Sequence, residues 1–153
     1  MFALLEPAVA KHFDVHVTKY RYDKEEYGRV WFTWHRAEVA RFEDGSFWWR
    51  VYPLSDELKA LGSDVDDAWK QAIDTAHAEA NTDVSRFYGS VLEYLDLPVE
   101  DALTSPDFVI RGFAMLDRRV GKRAIAALRD RSDPNPFVRR MYDLRLRAQE
   151  PDA

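Results

Sequence analysis

Four cationic side chains fall within the seven residues DRRVGKR, Asp117 to Arg123: Arg118, Arg119, Lys122 and Arg123. Arginine carries a planar fork of donors that matches a carboxylate or a phosphate bidentately, so such a cluster is chemistry for holding an anion. In an unbroken helix Arg118 would face Lys122 and Arg119 would face Arg123. Both are like-charge pairs four residues apart, and both destabilise the helix. Gly121 offers relief, so the stretch predicts a sharp corner at that glycine. One of Arg118 and Arg119, which follow the apolar Leu116 directly, is expected to turn inward to a carboxylate of Glu93, Asp96 or Asp101. Lys122 and Arg123 are expected to face outward. The anion they meet is either the protein's own acidic surface or an external phosphate or acidic partner.

A second binding candidate is the aromatic run FWWRVYP, residues 47–53. If it is extended, Phe47, Trp48, Trp49 and Tyr52 cannot all enter one core. Trp48, Trp49 and Tyr52 are then a partner anchor or a stacking platform, or they bridge the sheet to the helices. Catalytic chemistry has thinner support. His16 shares a strand face with Asp14 and could meet His35 from the next strand, three groups that could form a metal site, but the spacing fits no metal signature. Cysteine is absent, which removes thiol chemistry and Cys-based zinc sites. The six glycines form neither a dinucleotide-binding nor a P-loop pattern, and no serine sits in a nucleophile elbow. The acidic group SDVDD opens a helix, where carboxylates are favoured without any catalytic role. No catalytic residue, metal ligand or cofactor is assigned.

Charge is distributed unevenly. The net charge of -5 combines -10 over residues 1–110, +7 over residues 111–147 and -2 over the remainder, and ten of the eleven cations in the middle window are arginine. No apolar stretch approaches the roughly 20 residues a membrane-spanning helix needs, and the first residues, MFALLEPAVAKHF, lack the pattern of a signal peptide.

The elements that must position these groups follow from periodicity. Residues 2–12 read as a short helix with Leu4, Leu5 and Val9 inward. FDVHVTKY alternates Phe13, Val15 and Val17 against Asp14, His16 and Thr18, as a half-buried strand does. RYDKEEYG reads as a polar connection, RVWFTWHR as a second strand, EVARF as a third and EDGS as a turn. After Pro53 the texture becomes helical. Ser55 is expected to cap 56–61, and the next helix carries Val65, Trp69, Ile73 and Ala76. A further helix has Val84, Phe87, Val91 and Tyr94 inward, a short one runs from Pro98 to Leu103, and Ser105 is expected to cap another that starts at Pro106.

SPDFVIRGFAML aligns with DPNPFVRRMYDL at an offset of 28 residues, with Pro106 over Pro134, Arg111 over Arg139 and Leu116 over Leu144. Between them VGKRAIAALRDR supplies a returning helix. This part resembles a HEAT-type repeat, in which Arg111 and Arg139 are ladder arginines. The chain as a whole, through FDVHVTKYR, GRVWFT, SVLEYLDLPVEDALTSPDFVIRGFAMLDRRVGKR and PFVRRMYDLR, resembles a family of small bacterial proteins of unknown function. That resemblance implies a sheet followed by helices and no activity.

The expectation is one α+β domain over residues 1–153: a short helix and a three-stranded antiparallel meander in residues 1–52, then helices in 53–153 that end in a HEAT-like stack. The function expected is that of a cytoplasmic, non-enzymatic protein-binding or adaptor chain that does not enter membranes. The alternatives are nucleic-acid binding through the arginine-rich helices, and a small metal protein or enzyme using the strand histidines.

Overall fold

The computed structural model describes residues 2–22, 25–128 and 133–150. A 3-10 turn (Phe2–Leu4) and the one-turn helix α1 (Pro7–Ala10) lead into β1 (Phe13–Tyr22), β2 (Glu25–Trp34) and β3 (Ala37–Glu43). These form one antiparallel sheet in the order β1-β2-β3. The helices α2 (Asp44–Ala60), α3 (Val65–Ala78), α4 (Val84–Asp96), α5 (Val99–Thr104), α6 (Phe108–Leu116), α7 (Lys122–Ala127) and α8 (Pro136–Arg147) follow. The chain is therefore α+β, a meander and then helices.

Alternation decides which sheet face is buried. Phe13, Val30, Phe32 and Phe42 point to one side and are at most 1% exposed. Phe32, on the central strand, lies within 6.0 Å of the rings of Phe42, Phe87, Phe113 and Phe137, so β2, β3, α4, α6 and α8 meet around it. Burying such a ring stabilises the fold by about 1.5–3 kcal/mol. Val17, expected inward, is 48% exposed, because β1 runs past the edge of the helical layer. The expected polar connection RYDKEEYG lies mostly in strands, with β1 extending to Tyr22 and β2 starting at Glu25. The second hairpin turns on His35 and Arg36, at φ 48° and 68°. Both residues adopt the left-handed conformation of a primed turn, which Asn-Gly would occupy with less strain.

The helical part starts at Asp44, not after Pro53. FWWRVYP is the middle of α2, and EDGS opens that helix instead of forming a free turn. Phe47, Val51 and Ser55 recur every four residues on its buried side, and Pro53 lies on the exposed side. Opposite lies a column of alanines on α3, Ala68, Ala72 and Ala76, each 0% exposed. Their small size lets the two helices approach closely and form a second small core flanked by Trp48, Trp69 and Ile73. Of the expected apolar stripe on α3, Ala76 is buried and Trp69 and Ile73 are half-buried at the flank of this core, whereas Val65 is 64% exposed.

In α4 the expected Val84, Phe87 and Tyr94 are buried, with Val91 half-buried. Ser105 does not cap α6. Asp107 does, accepting the N–H groups of Val109 and Ile110, while Ser105 Oγ accepts the Asp107 N–H. The returning helix is α7, six residues long, and residues 129–131 of the expected segment lie outside the described residues. Among the described residues no helix is long and apolar enough to cross a membrane.

Candidate functional site

Two surfaces carry the groups singled out by sequence, the corner after α6 and a cleft beside α2. At the corner α6 ends at Leu116 and the break begins at Asp117 rather than Gly121. Gly121 has an ordinary φ of -67° and open space where a side chain would go, so the turn does not depend on glycine there. Asp117 is 0% exposed. Its Oδ2 accepts hydrogen bonds from Tyr94 Oη at 2.5 Å and from Arg119 Nη2 and Nε at 2.7 and 3.0 Å. Its Oδ1 accepts the Arg119 backbone N–H at 2.7 Å. The Arg119 guanidinium also lies 5.8 Å over the Tyr94 ring.

One arginine does turn inward, and it is Arg119. Its carboxylate is Asp117, two residues away, and not Glu93, Asp96 or Asp101, because the break folds Asp117 back beneath it. The expected inward use is only partial, since the Arg119 side chain is still 33% exposed. Arg118, Lys122 and Arg123 are exposed and make no ion pair among the described residues.

Beneath the corner lies a cation that the sequence reading missed. Arg145, on α8, is 2% exposed. Its Nη1 donates to the carbonyls of Leu116 and Asp117, each at 3.2 Å, and its Nη2 to that of Val120 at 3.0 Å. It thereby caps the C-terminal end of α6 with positive charge, where the helix dipole favours it. The signal was present: position 145 falls four residues after Met141, on the buried stripe of Phe137, Val138, Met141 and Leu144. A third element joins here. Glu6 N–H donates to Leu116 O at 2.9 Å and Arg118 N–H to Leu4 O at 2.8 Å, a short antiparallel rung between residues 4–6 and 116–118.

The electrostatics fit a closed structural network. Burial alone would push the Asp117 carboxyl up, but hydrogen bonds from Arg119 and Tyr94 outweigh it and hold the carboxyl below its ordinary value. Burial, and then the bond to Asp117, raise the Tyr94 hydroxyl well above the usual tyrosine range. The bond to Asp117 raises the Arg119 guanidinium, and burial lowers that of Arg145.

The cleft is different. It encloses about 780 Å³ lined by Tyr27, Trp48, Trp49, Tyr52 and Pro53 together with Asp44 and Asp83. Trp49 is 83% exposed and Tyr52 57%, while Trp48 leans on Trp69 at 6.1 Å in the small core. These rings therefore do not bridge the sheet to the helices. Asp44 ties the lining together: its Oδ2 accepts the Gly28 N–H at 2.6 Å and its Oδ1 the Val84 N–H at 2.7 Å. One carboxylate so joins β2, α2 and α4.

With this geometry in place, the comparison with known families is decisive on kinship: a match to the SF0329 protein family runs over residues 2–146. The chain belongs to the SF0329 protein family. No curated protein matches it, and no solved structure does. Membership of SF0329 brings no activity with it.

The remaining groups of this SF0329 chain fall into structural places. The histidine site considered as an alternative does not assemble. His16 Nε2 bonds Thr33 Oγ1 at 2.9 Å and its ring stacks on Trp31, whereas His35 lies in the hairpin turn with its ring stacked 4.0 Å from His12. Among the described residues no three His, Cys, Asp or Glu side chains form a group that could hold a metal ion. Arg111 and Arg139 do the same job 28 residues apart. Arg111 Nη1 donates to the carbonyls of Ser105 and Pro106, and Arg139 Nη1 to those of Asp133 and Pro134. Arg111 also reaches forward to Asp133 through Nε at 2.8 Å and Nη2 at 3.2 Å, linking the two segments. His77 is half-buried, with a buried Nε2 that has no hydrogen-bond partner. Burial, and then the charge of Arg86, lower its pKa.

Proposed function

We propose that this chain is a non-enzymatic binding module that docks a protein partner on the aromatic face of α2. The observation that carries this reading is Trp49, 83% exposed beside Tyr52 at 57%, on a helix whose opposite side is fully packed. Tryptophan and tyrosine dominate the binding energy of protein interfaces; Trp49 makes no ring contact among the described residues, and Tyr52, although its ring meets those of Trp48 and Trp69 at 5.8 and 5.3 Å, keeps more than half of its surface exposed. Leu61 and Val65, 84% and 64% exposed, are further exposed apolar side chains at the junction of α2 and α3. The corner argues for a structural role instead, since Asp117, Arg119 and Arg145 spend their hydrogen bonds inside the protein.

The equivalent bonds of Arg111 and Arg139, and the Arg111–Asp133 pair between them, support a HEAT-like stacking of α6 and α8 as the rigid body behind the docking face.

The test starts with a partner captured from a lysate and then purified. Calorimetry compares wild type with Trp49→Ser/Tyr52→Ser and with Arg118→Ser/Lys122→Ser/Arg123→Ser. The aromatic pair is expected to lose about 30-fold or more in affinity and the cationic triple less than about threefold. Unchanged affinity in the aromatic variant removes the reading. Should the chain instead bind DNA or RNA, with log affinity falling against log salt by about 0.9 per phosphate contacted, and should the cationic triple abolish that binding, the corner is the working surface and nucleic acid the partner.

A further inference from the structure

The chemistry of the cleft says more than that it is apolar. Four aromatic rings line it, Tyr27, Trp48, Trp49 and Tyr52, and the π face of such a ring attracts cations. Asp44 and Asp83 add two carboxylates, and no Lys, Arg or His lines the space. Neither aspartate is in an ion pair among the described residues. Their bonds go to backbone N–H groups: Asp44 to Gly28 and Val84, and Asp83 Oδ1 to Arg86 at 2.8 Å. Both sit at helix N-termini, Asp44 in α2 and Asp83 as the cap of α4. Each helix end offsets roughly half an elementary charge, so about one net negative charge remains in the lining of the cleft. The carboxylates are held in place by the backbone, which removes the cost of ordering them when a ligand arrives.

We propose that the cleft is the receptor for an arginine side chain of the docked partner. Its guanidinium lies against the exposed faces of Trp49 and Tyr52 and turns its donors to Asp83 and Asp44. A guanidinium suits this place better than an ammonium because it is flat, stacks on aromatic faces and is more weakly hydrated. This inference rests on the docking surface proposed above and adds the chemistry of what enters it.

The experiment uses the full-length protein and two small probes, arginine blocked as its N-acetyl methylamide and citrulline blocked in the same way. Citrulline has the shape of arginine without its charge. Indole N–H signals of Trp48 and Trp49 are followed by NMR during titration. Arginine is expected to move both signals saturably, and citrulline to bind about tenfold or more weakly. Added salt should weaken arginine and leave citrulline unaffected. Asp83→Asn keeps a good helix cap, so the fold is preserved; it should weaken arginine several-fold without altering citrulline. Blocked lysine serves as a third probe and should bind less tightly than arginine.

Equal binding of arginine and citrulline overturns the assignment, as does the absence of any indole displacement by arginine at all soluble concentrations. The two readings fail separately. If Trp49→Ser/Tyr52→Ser still abolishes partner binding while citrulline equals arginine, the cleft is an apolar docking site and only the cation assignment falls. If that variant binds the partner like wild type, the docking reading falls, whatever the arginine titration shows.

Discussion

Replacing Asp117 by alanine removes the acceptor on which the corner converges, and the structure sets the expected cost. Tyr94 Oη, on a residue 0% exposed, is left without a partner, which costs about 1–3 kcal/mol. Arg119 loses two charge-assisted bonds, but its side chain is one-third exposed and turns to water, so this adds only about 1 kcal/mol. The Arg119 backbone N–H adds about 1 kcal/mol more. The total, about 3–5 kcal/mol, matches what breaking a buried pair costs in general. At a urea m-value of about 2 kcal/mol/M the midpoint falls by roughly 1.5–2.5 M. The same reasoning ranks the neighbours. Arg119→Ala strands a buried carboxylate and costs about 2 kcal/mol, and Tyr94→Phe costs about 1 kcal/mol. Arg118→Ala, Lys122→Ala and Arg123→Ala each cost under about 0.5 kcal/mol. The Asp117 carboxyl is held below its ordinary value in the folded chain. Its contribution is therefore present above pH about 4 and is lost as pH falls through the lowered value, so wild type should lose its lead over Asp117→Asn in acid. Urea unfolding by circular dichroism gives the whole ladder. If Arg119→Ala costs no more than Arg118→Ala, or Asp117→Ala costs under about 1 kcal/mol, the corner is not the closed network described.

Three further outcomes are expected. Ala80, just past α3, has a φ of 61°, so Ala80→Gly should raise stability by about 0.5–1 kcal/mol in the same unfolding assay. Gly112→Ala would place a methyl group 2.6 Å from Phe137 Cδ1 between α6 and α8, and should cost about 1–3 kcal/mol, read as a lower thermal midpoint. His77, whose pKa is lowered in the fold, refuses a proton that the unfolded chain accepts. Stability should therefore drop as pH falls below about 6.5, and that part of the drop should be missing from His77→Gln when wild type and variant are compared from about pH 7.5 to 5.

The sheet and the inward face of α4 were legible because alternation and helical spacing report burial directly. Phe13, Phe87 and Tyr94 fall where their periods place them. Helix α2 was hidden because FWWRVYP has the composition of a strand and carries a proline, and only its four-residue spacing against the alanines of α3 overrides that. The inward arginine could be anticipated from like-charge repulsion, but its partner could not. Asp117 becomes available only because the chain breaks at that residue, and nothing local marks the break. Arg145 escaped because a cation on an apolar stripe reads as a surface residue until three backbone carbonyls are found around it. The cleft depends on Tyr27, Trp48 and Asp83 meeting from three separate elements, which spacing along the chain does not encode.

The rung between Leu5 and Asp117 also bears on the order of assembly. It shuts a loop that contains the whole sheet and helices α1 to α6, and the Arg145 side chain that braces it comes later still in the chain. The entropy of shutting so long a loop grows only with the logarithm of its length, but the search for such a distant partner is slow. During synthesis, residues 4–6 wait unpaired until the segment after α6 has emerged. If that rung closes last, the corner acts as a latch on elements already packed together. Interactions made after the transition state govern how fast a protein opens rather than how fast it closes. Loosening the latch should therefore shorten the lifetime of the native state while leaving the refolding rate nearly unchanged, and the amide hydrogens of Glu6 and Arg118 should exchange with solvent together.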